Sequence, residues 1–134
     1  MPLFGEEHVA RYRATDGEEG HDWQGTQTLL LTTKGRKSGE QRTTPLIYVR
    51  QGGAYTVVAS KGGSDSPPAW YLNLSEDSNV EVQVKGDRFR ARARTASAEE
   101  KPGFWQRMVS EWPDYDSYQQ RTEREIPVVV LERT

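Results

Sequence analysis

Polar and apolar positions alternate with a period of two over much of this chain. Asn79 to Lys85 sets Val80, Val82 and Val84 on one side, Gly86-Asp87 offers a turn, and Arg88 to Arg94 sets Phe89, Ala91 and Ala93 against four arginines. That pair reads as a hairpin with a solvated arginine face. Thr26 to Thr33 (TQTLLLTT) is β-rich and mostly apolar, the pattern of a strand buried on at least one face. Thr44 to Arg50 and Ala54 to Ala59 are further strands, joined through Gln51-Gly52-Gly53, where glycine supplies positive φ freely. PVVVL, Pro127 to Leu131, closes as a strand. Helical signals are fewer. Leu3 to Ala14 reads as a short helix followed by the loop TDGEEGHD, and Pro67-Pro68 opens a helix through AWYLNL, since a first turn does not need their missing N–H groups. Ser97 to Glu111 begins with SAEE, a capping box in which Ser97 caps and Glu100 reaches back. Strands linked mostly by hairpins predict an antiparallel barrel with a few packed helices, mainly β with α+β character.

Length and composition bound the rest. A chain of 134 residues with 34% hydrophobic content supports one core, so one domain over residues 1–134 is expected, with 1–25 as a variable N-terminal segment. Cysteine is absent, which removes disulfides, thiolate catalysis and cysteine-ligated zinc, and fits a reducing compartment. No apolar run approaches the roughly 20 residues that cross a bilayer, and the first residues do not resemble a signal peptide, so a cytoplasmic protein is expected. The net charge of −2 argues against a nucleic-acid partner held by a general positive field. The charge is unevenly laid out. Six acids face two bases from Met1 to Gly25, a balance of −4, whereas Lys34 to Lys61 carries six bases against Glu40, a balance of +5.

That basic island is TTKGRKSGEQRTTPL, Thr32 to Leu46. A phosphate-cradling P-loop would read G-x-x-x-x-G-K-[ST] between a strand and a helix; here the following segment reads as a strand, so a nucleoside triphosphate site is excluded. What remains is a loop between strands, with Gly35 and Gly39 freeing the backbone and Lys34, Arg36, Lys37 and Arg42 as donors suited to carboxylates and phosphates. The bland alternative is a solvated hairpin tip. A second segment, ASKGGSDSPPAWYLNL from Ala59 to Leu74, places Ser60, Lys61, Gly62 and Gly63 between a strand end and a helix N-terminus, where backbone N–H groups favour anions. His8 and His21 have no third ligand at a recognisable spacing, so no metal site is expected. No G-x-S-x-G nucleophile elbow occurs, and hydrolase chemistry has no support.

GRKSGEQRTTPL, then ASKGGSDSPPAWYLNL, the NVEVQVKGD hairpin and WPDYDSYQQRTEREIPVVVLE together resemble the deazaflavin-dependent nitroreductase family of actinobacteria, over about Thr28 to Glu132. The resemblance implies a split β-barrel that binds coenzyme F420, an 8-hydroxy-5-deazaflavin, and uses its reduced form as hydride donor. It further implies that Arg36, Lys37 and Arg42 contact the anionic tail, and that Lys61 with the backbone of Ser60, Gly62 and Gly63 lies on the phosphate side of the ring. By the same resemblance Pro45, Ala59 and Trp70 line the ring and ribityl portion. WPDYDSY spaces Trp112, Tyr115 and Tyr118 at i, i+3 and i+6, which puts both tyrosines on neighbouring turns of one short helix, able to wall a substrate pocket. Their hydroxyls, with Ser60, are the candidate catalytic donors to an acceptor that becomes anionic. The cluster also reads as plain packing of a C-terminal helix on the barrel. In the nitroreductases of the family the first of these aromatics is commonly tyrosine; Trp112 keeps the wall and removes a hydroxyl, which makes nitroimidazole reduction a weaker implication than coenzyme binding.

The expected activity is therefore an F420-dependent oxidoreductase that passes hydride to a small electron-poor acceptor such as a quinone, enone or nitroaromatic. Two alternatives stay open: a non-catalytic barrel that binds the deazaflavin or a lipid-like ligand, and a reductase using flavin mononucleotide. The N-terminal segment is acidic, with only Leu3, Phe4 and Val9 apolar near its start, so no stable membrane association is expected. An edge strand of such a barrel can pair with a second copy, which makes a homodimer one expected assembly.

Overall fold

The computed structural model describes residues 3–134. In chain order its elements are α1 (Gly5–Thr15), β1 (Asp22–Trp23), β2 (Thr26–Lys34), β3 (Gln41–Ile47), β4 (Val49–Gln51), β5 (Ala54–Val58), a 3-10 turn at Lys61–Gly63, α2 (Ala69–Glu76), β6 (Asn79–Val84), β7 (Asp87–Thr95), α3 (Lys101–Glu111), α4 (Asp114–Gln120) and β8 (Val128–Arg133). All strand pairs are antiparallel, in the order β1-β2-β6-β7-β8-β5-β4, with β3 also on β2.

The segment expected as one strand from Thr44 to Arg50 is longer and broken. β3 pairs with β2 and β4 with β5, so the bend at Tyr48 carries one stretch of chain from the first side of the sheet to the last and closes the barrel. Tyr48 leaves the ladder to make the bend. Its N–H donates to Gln27 O at 3.0 Å and its hydroxyl is hydrogen-bonded to His21 Nε2 at 2.8 Å. Burial is the main cause that pushes this phenol up to about 12, so it stays neutral at the joint. His21 comes from the segment read as loop, in which Asp22–Trp23 forms a short strand on β2.

Side chains of a strand point alternately to opposite faces, which explains why Val128 to Leu131 is apolar throughout. Val129 and Leu131 enter the barrel interior with Leu29, Leu31, Val57 and Phe89, while Val128 and Val130 enter a second core with Met108, Tyr115 and Ile126 beneath α3 and α4. Fully burying such a side chain is worth roughly 1.5–3 kcal/mol, so this outer core is the main anchor of both helices. β7 behaves as its alternation predicts: Phe89, Ala91 and Ala93 are buried and its four arginines exposed. The turn before it falls at Lys85-Gly86, one residue earlier than expected.

The capping box forms, although the regular helix starts later, at Lys101, because Pro102 sits in its first turn. Glu100 N donates to Ser97 Oγ at 3.2 Å and Ser97 N donates to Glu100 Oε1 at 3.0 Å. Arg94 reaches across from β7 and donates to both carboxylate oxygens at 2.6 and 2.9 Å. That guanidinium, then the Ser97 N–H, lowers the Glu100 carboxyl to about 2. The sign follows from the depression. The contribution is fully present above the ordinary value of 4.5 and is lost as pH falls toward about 2. Urea midpoints of the wild type should therefore decline between those limits, and Glu100→Gln should flatten that part of the curve; equal slopes for both proteins would refute the assignment.

Candidate functional site

The turn after β5 is built to leave N–H groups free. Ser60 is right-handed (φ −83°, ψ −40°), and Lys61, Gly62 and Gly63 follow with φ of +47°, +64° and +83°. A right-handed residue followed by left-handed ones turns successive N–H groups toward one point, an anion-binding concavity. The N–H groups of Ser60, Lys61 and Gly62 have no protein partner among the described residues. Only glycine fits at 63. A Cβ there would stand 2.6 Å from Tyr118 O, so Gly63 is buried against α4 and does not line the cleft described below.

What holds this turn is Arg124, which sequence reasoning missed. Its Nε donates to Ser64 O at 2.7 Å, its Nη2 to Ser60 O at 2.7 Å, and both Nη atoms to Ala59 O at 3.3–3.4 Å. One guanidinium thus satisfies three carbonyls of a segment that carries almost no regular structure. Thr122 adds a bond to Asp65 Oδ1 at 2.9 Å. Ala59, expected beside the ring, is fully buried in the barrel core and serves through its carbonyl instead.

The basic loop between β2 and β3 leans on α2. Arg36 donates through its backbone N and its Nη1 to Asn73 Oδ1 at 3.2 and 3.0 Å, and the buried Asn73 donates to Thr33 Oγ1 at 3.2 Å. Between loop and helix lies a basin of about 820 Å³ lined by Arg13, Arg36, Lys37 and Arg42, with Glu6 as its one acid. Lys37 makes no ion pair among the described residues, and Arg42 makes only an exposed one, 3.5 Å from Glu40. Surface pairs of that kind contribute little, so both cations are available to a ligand.

Thr44 and Trp70 line this basin and also the neighbouring cleft of about 480 Å³. The cleft floor is β3, which among the described residues pairs only with β2; Pro45, lacking an N–H, is therefore tolerated at its centre. Ser60, Lys61 and Gly62 line it together with Trp112, Tyr115 and Tyr118 of the adjoining helix segment. Trp112 Nε1 donates to Tyr118 Oη at 3.3 Å, which leaves the Tyr118 proton free to donate elsewhere. The indole therefore returns a hydrogen bond to the site where a hydroxyl was expected to be lost. Tyr115 Oη has no protein partner among the described residues, and burial holds its pKa well above the ordinary phenol value. The Tyr115 phenol is therefore a neutral donor at working pH.

The remaining wall comes from the N-terminal segment, which was expected to shape the acceptor pocket although none of its residues was singled out for the site. Trp23 Nε1 donates to Leu3 O at 2.7 Å, the Trp23 ring lies 5.8 Å from that of Trp112, and Phe4 meets Trp23 edge-on at 5.5 Å. His8 completes the wall beside them. No sequence signal tied these residues to the cleft, because closure of the barrel alone brings residues 3–23 against residue 112. Among the described residues no group of three or more His, Cys, Asp or Glu could hold a metal ion, and no helix is long and apolar enough to cross a membrane.

Comparison with known proteins gives a consistent set of relatives. The family model for F420H(2)-dependent quinone reductase matches residues 4–133. An F420H(2)-dependent quinone reductase of Mycobacterium tuberculosis is 45% identical over 132 residues, covering 94% of this chain and 87% of the relative. Among solved structures, an F420-H2 dependent reductase superposes with a TM-score of 0.72 at 40% identity, covering 78% of this chain and 93% of that one. A second, described as a domain-swapped dimer, superposes with a TM-score of 0.76 at 37% identity, covering 94% and 92%.

Proposed function

This chain belongs to the F420H(2)-dependent quinone reductase family, and from that premise we propose that its joined cleft and basin seat coenzyme F420 beside a quinone-type acceptor. The protein is an F420H2-dependent reductase on a split β-barrel, and coenzyme F420 is its cofactor. The observation that carries the placement is the sharing of Thr44 and Trp70 between an apolar slot and a cationic basin. A flat ring with a long anionic tail needs both, in that order. The free N–H groups of Ser60, Lys61 and Gly62, which line the cleft, fit a phosphodiester, and Arg36, Lys37 and Arg42 of the basin fit the tail carboxylates. Pro45 and Trp70 face the ring; Ala59 acts behind it.

When bound and reduced, the coenzyme supplies a hydride. The chain's residues orient the acceptor and stabilise the negative charge that develops on it. Tyr115 and Tyr118, with Ser60, donate hydrogen bonds to the acceptor oxygens, and the indoles of Trp23 and Trp112 exclude water from that end. Loss of one such donor costs about 10²-fold in kcat when it acts chiefly in the transition state. Tyr115→Phe and Tyr118→Phe should each lower kcat for quinone reduction by about tenfold to a hundredfold while coenzyme affinity stays within about twofold. A fall in coenzyme affinity with kcat intact would place the phenols on the wrong ligand. The relative solved as a domain-swapped dimer supports an assembly of two copies of this chain as well.

A further inference from the structure

His8 is the buried titratable group of the cleft that the scheme above leaves without a task. It lies on the inner side of α1, 2% exposed, and borders the cleft next to Phe4 and Trp23. Its ring is oriented by one hydrogen bond and one stacking contact. Nε2 stands 2.8 Å from Gly20 O, and since a carbonyl only accepts, Nε2 carries a hydrogen. Trp23 stacks beside it with centroids 6.4 Å apart and an interplanar angle of 24°. Gly20, at φ +104°, is the residue that permits the contact, because a Cβ there would stand 2.8 Å from His8 Cδ2. The other nitrogen, Nδ1, has no protein partner among the described residues. It is not sealed either, because no side-chain nitrogen among those residues is both fully buried and unpartnered. The open space that His8 borders is the cleft.

Resting on the reading of that cleft as the acceptor site, we propose that His8 Nδ1 delivers the proton that completes reduction of the quinone. Reduction of a quinone to a hydroquinone takes up one hydride and one proton. Hydride arrival carries both electrons and leaves an anionic oxygen on the acceptor. The Nδ1–H bond of the imidazolium then breaks as an O–H bond forms; its electron pair stays on nitrogen, and the neutral imidazole recovers a proton from water. Nε2 donates to Gly20 O in both charge states, so the ring need not move during the cycle. The phenols are poorer sources. Burial raises Tyr115 and also Tyr12, one turn along α1, whose hydroxyl is tied to Thr28 O at 3.0 Å and accepts from Lys85 N at 2.8 Å. They serve as hydrogen-bond donors, whereas an imidazole can give up a proton at one nitrogen while the other keeps its hydrogen. The other ionisable groups around it are Tyr118 and Lys61 across the cleft, Asp22 beyond Gly20 and bonded to His21, and the exposed Glu6 and Glu7 of α1.

The test is His8→Gln, whose amide N–H can still donate to Gly20 O but cannot titrate. Quinone reduction should fall about tenfold or more, and the limb of the kcat/KM profile that a general acid produces should disappear. Coenzyme affinity and melting temperature should hold. The loss should shrink for electron-poor quinones whose hydroquinones are acidic, since their anions need no donor. His8→Ala should regain activity from added imidazole, which covers the case in which the glutamine variant is badly placed. An unchanged profile, or an equal loss with every quinone and no rescue, would overturn the role of His8 alone. A wild-type protein inert toward quinones would overturn the cleft assignment with it.

Discussion

Arg124→Ala should weaken coenzyme binding by about a hundredfold although Arg124 touches no ligand in this account. The guanidinium is the common partner of Ala59 O, Ser60 O and Ser64 O, and its loss leaves three carbonyls of the anion turn to find water. Hydrogen bonds from a charged donor are worth about 1.5–3 kcal/mol each, and the upper part of that range is a factor of about a hundred. The same change removes the brace that keeps Lys61 at positive φ, where a side-chain-bearing residue does not rest unaided. Arg124→Lys should recover little, since an ammonium cannot serve three acceptors as a planar fork does. Titration of the coenzyme into each variant decides it. Affinity within about twofold of wild type, with the fold intact, would show that the turn holds itself.

Lys37→Ala combined with Arg42→Ala is the second large effect. Both side chains line the basin, neither is consumed by a strong internal pair, and each charge-assisted contact to phosphate or carboxylate is worth about 1.5–3 kcal/mol. Coenzyme affinity should fall by about a hundredfold or more, and the dependence of the remaining affinity on salt should be shallower, because fewer ion contacts are left to screen. Arg36 is the wrong target for this test. Its bonds to Asn73 Oδ1 hold the loop on α2, so its removal would mix a lost contact with a displaced loop. At saturating coenzyme, kcat of the double variant should match the wild type; a large kcat defect would mean that the basin shapes the chemistry as well as the affinity.

The parts of the fold that alternate were legible in the sequence. β6 and β7, the glycine turn before β5 and the apolar run of β8 follow from period two and turn chemistry, and they hold here within a residue or two. Val128 and Val130 belong to a different core from Val129 and Leu131, which a continuous apolar run announces without saying what covers the second face. The bend at Tyr48 was not legible, since nothing local distinguishes that tyrosine from a strand residue; the partner that takes its hydroxyl is His21, 27 positions away. Among site residues, the cationic loop and the glycine-rich turn showed in composition. Asn73, Arg124, Trp23 and His8 did not, because each acts on a segment from 12 to 89 positions away that the fold, not the local pattern, brings near. Gly63 was read as part of the anion turn, and it is there, but the demand on it comes from the backbone of Tyr118.

The most direct test of the account is anaerobic mixing of reduced coenzyme F420 with the protein and a quinone, followed by the absorbance of the oxidised coenzyme, with reduced flavin mononucleotide run in parallel. The account predicts quinone-dependent oxidation that saturates in coenzyme and in quinone, is weakened by salt through coenzyme affinity, and is not reproduced by the flavin. Oxidation no faster than without protein, or turnover with the flavin alone, would contradict it.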